Sequence, residues 1–424
     1  MISLGYRPAS LAGLFVLLAL GYPAISLGDS AQVLPKGRSG LFLSYIDYFP
    51  IDERYDSDGD REDLADDFNT SLDSSVFSDL QAVETGFGMK AGSASFGDTE
   101  VDMEYDIEIF EFEYYYGITD KFTAGIKIPY WWVKTKVKAT VNSGTDSSAT
   151  VGFNPLFGTG GDPFGSPVIP VAFGGQPATD DDIQNLLGPG VEINGVPAIQ
   201  GFGYDEFETW SDEGLSDVEF SGRYQYVNNE KWRHAFTFGF RVPTGEIDDP
   251  DNLADMAFGL GAYQLLLRSN HDVSISEKVT VNLSLKYDVI FSDTQEKRVP
   301  TDVNQPITSN KVDVDIDYGD VFELDTTATY RFTSEWSTFG RYRFTTKQSN
   351  DVSGPSGVDV SSLEDETDRL GHQYQVGVAY STVSRYLDGV AKVPFRGALS
   401  YRDRFKGENI LDSQYLKLEG QLFF

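Results

Sequence analysis

A chain of 424 residues with no cysteine, 66 acidic residues against 33 basic ones and a formal charge of −33 excludes several classes at once. It carries no disulfide framework, no thiolate metal centre and no lipid-modified cysteine, and it lacks the basic face that a nucleic-acid binder needs to displace counterions from phosphate. Aromatic residues make up 14% of the chain, with 23 Tyr and 30 Phe, a surplus suited to strands and membrane interfaces. The mean hydropathy of −0.29 excludes a helical membrane protein but not a β-barrel, whose strands are half polar. A field this negative is expected to draw cations and to repel anions from any enclosed path.

Residues 1–28 read as a secretory signal, with Arg7, an apolar run over 11–20, Pro23, and small residues at Ser26 and Gly28 ahead of the cleavage. The apolar run is shorter than the ~20 residues that span a bilayer as a helix, and no later run reaches that length. Membrane insertion of residues 29–424, expected to be a single domain, therefore has to be by strands.

Period-2 alternation predicts strands at 38–49, 101–116, 121–133, 215–226, 232–243, 257–274, 279–291, 312–332, 336–346, 372–381, 393–405 and 414–424. The cleanest is 279–291, where every odd residue is apolar or aromatic and Thr280, Asn282, Ser284, Lys286 and Asp288 oppose them. Residues 101–116 change phase. Val101, Met103, Tyr105, Ile107 and Ile109 are the apolar set at first, and Phe110, Phe112, Tyr114 and Tyr116 take over. A one-residue slip turns every side chain over, so a bulge or the end of the lipid-facing span is expected near Ile109. Short links such as 276–278 and 333–335 alternate with long polar ones, which include 51–99 and the Gly/Pro-rich 134–213.

The expected fold is therefore all-β: a transmembrane antiparallel up-and-down barrel of about twelve strands, with ten to fourteen as the bounds because 74–97 has room for a hairpin. An even count puts both termini on the short-turn side, and the two long links are expected to be extracellular loops. The chain ends on Leu416, Leu418, Gly420, Leu422 and Phe424 facing one way, with Lys417, Glu419 and Gln421 facing the other. That ending resembles the C-terminal signal of bacterial outer-membrane barrels and implies recognition by the barrel-assembly machinery.

Three constellations are candidates for chemistry. Asp56, Asp58, Asp60 and Asp63 crowd carboxylates into one loop, and hard cations such as Ca2+ take oxygen ligands. Gly59 precedes the third Asp, so EF-hand spacing fails and a solvated acidic loop is the plainer reading. Asp102, Glu104, Asp106 and Glu108, with Asp313, Asp315 and Asp317, form acidic ladders opposite the apolar sides of their strands. They line the lumen if the apolar side meets lipid, and are merely solvated if these strands outrun the bilayer. Arg223, Arg241, Arg341, Arg343, Arg396 and Arg402 stand on polar strand faces, where they balance lumen carboxylates or build a mixed-charge constriction.

Residues 115–130 (Tyr-Tyr-Gly-Ile-Thr-Asp-Lys-Phe-Thr-Ala-Gly-Ile-Lys-Ile-Pro-Tyr), then 214–224, then 238–245 (Phe-Gly-Phe-Arg-Val-Pro-Thr-Gly) resemble, in that order, the outer-membrane transporter family of the phenol-degradation meta pathway, a distant likeness of the long-chain fatty-acid channel group. The resemblance runs from about residue 105 to the C-terminus. It implies a Gram-negative outer-membrane barrel giving passive passage to a small, hydrophobic or aromatic solute, without a cofactor or catalysis. The acidic early loop and the long Gly/Pro insertion depart from the family's pattern.

Two readings from other classes stand beside it. One is a secreted soluble β-protein with an acidic, ion-binding surface. The other is an outer-membrane lipid hydrolase built on Ser269 and His271, which share one strand face; the plainer reading of His271 is a satisfied interface histidine.

Overall fold

The computed structural model describes residues 30–77, 80–87, 90, 95–142, 149–151, 168–170, 179–193, 196–300 and 307–424. The expected signal segment lies outside them. Twelve antiparallel strands close into a barrel: β1 (Ser39–Tyr48), β2 (Ser95–Thr119), β3 (Phe122–Asn142), β4 (Val218–Asn228), β5 (Trp232–Val242), β6 (Gln264–Ser274), β7 (Val279–Ile290), β8 (Val321–Arg331), β9 (Trp336–Lys347), β10 (Arg369–Ser381), β11 (Phe395–Glu408) and β12 (Gln414–Phe423). Each pairs with its sequence neighbour, and β12 pairs with β1 from Gly40↔Phe423 to Tyr48↔Tyr415, so no barrel edge is left open.

Alternation sorts the side chains. Outward-facing Leu267, Leu285, Leu324, Val376, Leu399 and Leu418 form an apolar band, and Leu418 is 58% exposed in the isolated chain. Aromatics gather at both rims. Tyr226, Trp232, Tyr330, Trp336 and Phe424 stand at the short-turn end, and Trp132, Tyr263, Tyr287, Tyr374 and Phe405 at the other. Rings with a polar edge belong at a lipid–water boundary. Inward-facing Asn270, Asn282, Ser284 and Asp325 are fully buried polar groups.

β2 and β3 run past the barrel rim as a two-stranded ribbon, paired without a break from Asp98↔Asn142 to Gly117↔Thr123. The phase change near Ile109 is therefore not a bulge but the end of the lipid-facing span. Below it the outer face is Phe112 and Tyr114. Above it the inner face becomes apolar, because Val101, Met103, Ile107 and Ile109 pack against folded loops around Phe207 and Phe258. Trp210–Leu215 adds a strand to the ribbon's edge.

The described residues of the long links fold into a cap over this end. The hairpin Glu53–Tyr55/Arg61–Asp63 pairs with Ile410–Leu411. Residues 74–97, where a further hairpin had room, hold the helix Leu80–Phe87, which packs with the helix Asp180–Leu187 in one apolar cluster. Residues 312–332 do not form one strand. Lys311–Asp317 belongs to a separate three-stranded sheet with Asp293–Arg298 and Asp351–Ser353, and β8 begins only after Tyr318–Asp320 turns the chain. Similarly, 257–263 is loop, and β6 starts at Gln264.

Arg298 knots the cap. It donates to the carbonyl oxygens of Phe202, Pro250 and Thr308 at 2.7–2.8 Å, to Asp251 Oδ1 at 2.7 Å, and lies 3.8 Å from the centre of the Tyr204 ring.

Candidate functional site

The barrel encloses a cavity of about 380 Å³ whose lining includes nine Lys or Arg and six Asp or Glu side chains. Three charge clusters organise its wall. On β7–β9, Asp325 accepts two hydrogen bonds from Arg343, at 3.0 and 2.9 Å, and lies 2.8 Å from Lys286, which also meets Glu323 at 2.5 Å. On β4–β6, Glu219 lies 3.4 Å from Arg241 and 3.2 Å from Arg268. On β2, β3 and β12, Glu111 is gripped by Lys127 and by Lys417, the latter at 3.1 Å. Each charge is taken out of bulk water together with its partner, which offsets its desolvation. Aromatic side chains complete the wall: Tyr48 and Tyr415 meet edge to face at 4.9 Å, and Arg402 donates to the Tyr415 hydroxyl at 2.6 Å.

The short-turn end is filled by residues 30–38. Ser30 Oγ and the Ala31 N–H donate to Asp272 Oδ2 at 3.0 and 3.2 Å, Gln225 donates to the Ala31 carbonyl at 2.8 Å, and the Leu34 N–H donates to Thr123 Oγ1 at 2.7 Å. Gly117 makes this passage fit, because a Cβ there would collide with the carbonyl oxygens of Leu34 and Pro35. The segment reads in sequence only as a linker, since nothing in its composition announces an inserted strap.

Among the residues expected to line the lumen, Arg241, Arg341, Arg343 and Arg396 border the cavity, as does Arg402. Arg223 also faces inward but sits at the filled end, donating to Thr237 Oγ1 at 2.9 Å and to the Gln32 carbonyl at 3.3 Å. The acidic ladders lie elsewhere. Asp102, Glu104, Asp106 and Glu108 share the outer face of β2 with Phe112, above the apolar band, opposite Lys134, Lys136 and Lys138 on β3. Lys136 reaches Glu104 at 2.5 Å and Asp106 at 2.7 Å. Asp313, Asp315 and Asp317 are exposed on the cap's separate sheet. Both sets are acidic for the same reason: the strands carrying them stand in water, outside the bilayer.

Glu111, Glu113, Lys127, Glu219, Arg268, Lys286, Glu323, Lys417 and Glu419 border the cavity and were not singled out from sequence. Their signal is positional, an isolated charge flanked by two apolar residues within the spanning half of a strand, with Arg268, followed by Ser269, as the exception.

The carboxylates of Asp56 and Asp63, two of the four in the candidate calcium loop, are engaged with their own backbone. Asp56 Oδ1 accepts the N–H groups of Asp58 and Asp60 at 2.9 and 2.8 Å, and Asp63 accepts that of Ala65, so the Asp56 and Asp63 carboxylates close turns. Among the described residues no three Asp, Glu or His side chains converge as a metal site.

Ser269 and His271 face outward near the short-turn rim. Ser269 Oγ lies 2.9 Å from His271 Nε2, and His271 Nδ1 lies 2.8 Å from His234 Nδ1, with the His234 ring stacked beside Tyr226 and Trp232. Because β6 is paired without a break to both β5 and β7, its backbone N–H groups are committed to the ladders and are not free to form an oxyanion hole beside the relay.

A closed, aromatic-girdled barrel of twelve strands with a polar lumen, short turns at one end and a folded cap at the other is a bacterial outer-membrane β-barrel. More particularly, the family described as "Putative MetA-pathway of phenol degradation" matches residues 89–395, and the chain belongs to it. No curated protein matches the sequence.

Among solved structures, an outer membrane channel from Pseudomonas putida F1 is similar over 94% of this chain and 100% of its own, with 11% identity and a TM-score of 0.52. The Ralstonia pickettii toluene transporter TbuX aligns over 92% of this chain and 90% of its own, at 12% identity and a TM-score of 0.33. A Pseudomonas aeruginosa FadL homologue aligns over 92% and 89%, at 9% identity and a TM-score of 0.31. The likeness to the first is one of fold.

Proposed function

We propose that the chain, after loss of residues 1–28, is a single-domain channel giving passive passage across the outer membrane to a small solute, with no catalytic role and no cofactor. The observation that carries this reading is the lumen itself: a cavity of about 380 Å³ bordered by paired charges and tyrosines, roofed by loops and floored by residues 30–38. A wall of mixed, largely paired charges leaves a path that is wettable without being a trap, which suits a conduit whose solute has to leave again. The fold shared with an outer membrane channel is consistent with a conduit, and a family described by phenol degradation supports a hydrophobic or aromatic solute. The strand 414–424, ending on Phe424, is the feature that the barrel-assembly machinery would read.

Planar-bilayer recording and proteoliposome swelling with the purified protein test this. Unitary conductance above the leak of empty membranes is expected, and its complete absence, with native heat-modifiable mobility retained, overturns the reading. Fractionation as a freely dissolved, detergent-free protein would instead restore the secreted alternative.

A further inference from the structure

We infer that the lumen selects small organic anions, with an aromatic monocarboxylate as the solute class. The inference rests on the channel reading and gives it a substrate class opposite in sign to the one the chain's net charge suggests.

Two observations carry it. The first is the sign of the wall. A chain with a formal charge of −33 surrounds a cavity bordered by nine basic and six acidic side chains. A seventh carboxylate, Asp325, is fully buried beneath Arg343 and Lys286, and counting it leaves the basic excess in place. The ribbon and cap carboxylates stand outside the span, facing bulk electrolyte. Charges farther than the ~8 Å Debye length at physiological salt are screened, so the lumen's own residues decide which ion passes.

The second observation is a row written in the strand register. Across β9 to β12 and on to β1, Arg341 stands opposite Gln375, Gln375 opposite Arg402, Arg402 opposite Tyr415, and Tyr415 opposite Tyr48. All five border the cavity. Neighbouring strands lie ~4.8 Å apart, so the backbones of Arg341 and Arg402 are about 10 Å apart and their side chains can reach a shared point. A guanidinium offers a planar pair of donors matched to a carboxylate. Arg402 lies 5.0 Å from the centre of the Tyr415 ring, and Tyr48 continues the aromatic surface beyond it. A carboxylate placed at Arg341 and Arg402 would lay an attached ring along Tyr415 and Tyr48. The neutral amide of Gln375 lies between the two arginines, donating to Ser400 at 2.8 Å, and adds no opposing charge.

The test uses benzoate on the full-length mature protein, with two readouts that fail independently. In detergent, isothermal titration at physiological salt is expected to show benzoate binding that toluene does not reproduce, weakened about tenfold in Arg341→Gln and in Arg402→Gln. In planar bilayers under a KCl gradient, the reversal potential is expected on the chloride side and moves toward potassium in the same variants. Glu104→Gln, on the outer face, leaves both unchanged. Potassium preference in the wild type, absence of benzoate binding, or equal binding in the two arginine variants overturns the inference. Binding without conductance leaves the anion site standing and removes the channel reading instead.

Discussion

Asp325 and Arg343 face each other directly across β8 and β9, joined by two hydrogen bonds, with no solvent reaching the carboxylate. Lys286 closes on the same carboxylate from β7, and Glu323 meets both bases from two residues away, so two acids answer two bases and Asp325 is the fully buried one. Asp325→Asn keeps the shape and deletes the charge. Leaving buried bases short of a partner costs on the order of 3 kcal/mol. The expected result is a clear downward shift in the denaturant midpoint for the refolded barrel in detergent, with Arg343→Lys losing the two-point geometry and falling between wild type and Asp325→Asn.

Gly117 tests the floor of the lumen. Its missing Cβ is the space through which Leu34 and Pro35 pass, and a residue that cannot fit costs more than about 1 kcal/mol. Gly117→Ala is expected to dislodge residues 34–37 while the ladders on either side persist. Single-channel recording should then show larger or more frequent openings, with heat-modifiable mobility unchanged.

Ser269 is expected to be dispensable. The Ser269–His271–His234 relay is well aligned, but the backbone N–H groups of its strand are committed to the ladders and not to a developing oxyanion. Ser269→Ala and wild type should show the same background rate on a p-nitrophenyl ester and the same conductance. A rate above background that Ser269→Ala abolishes would revive the hydrolase alternative.

The cap should loosen in acid through Asp251. Partial burial pushes its carboxyl up, but hydrogen bonds from Lys311 and Arg298 outweigh that and hold it below the ordinary aspartate range. A depressed folded value contributes stability that is full above the unfolded pKa of ~3.9 and is lost as pH falls through the folded one. Protection of 201–205, 298–299 and 307–311 from hydrogen exchange should therefore exceed that of Asp251→Asn by a constant factor above about pH 5. The two proteins should begin to approach each other as pH falls below about 4 and coincide only once it has passed the folded value.

The barrel was legible in sequence because its physics is local. Period-2 alternation located all twelve strands, and the even count put Phe424 at the short-turn end, where it pairs back to Ser39. What alternation cannot report is how far along a strand the bilayer stops. Asp102 to Glu108 and the Arg341 to Arg402 row are both polar faces opposite apolar ones, and only depth separates a solvated ladder from a lumen wall. Depth is set by which strands pair and in what register, a non-local fact. The same blindness merged 311–317 with β8, since a cap sheet and a barrel strand have one period. The Asp56 loop is ambiguous in sequence for another reason: carboxylate density is shared by ion sites and by turns that need acceptors for their own N–H groups.

The strap of residues 30–38 also dates the events of folding. It is encircled by a hoop whose clasp is the seam between β1 and β12. A tail cannot easily be drawn in through a finished ring crowded with interlocked ions, so it has to be lying along the inner wall when the clasp fastens. The last strand to emerge thus seals in the stretch just ahead of the first, and a chain that closed too early would be left with an empty floor.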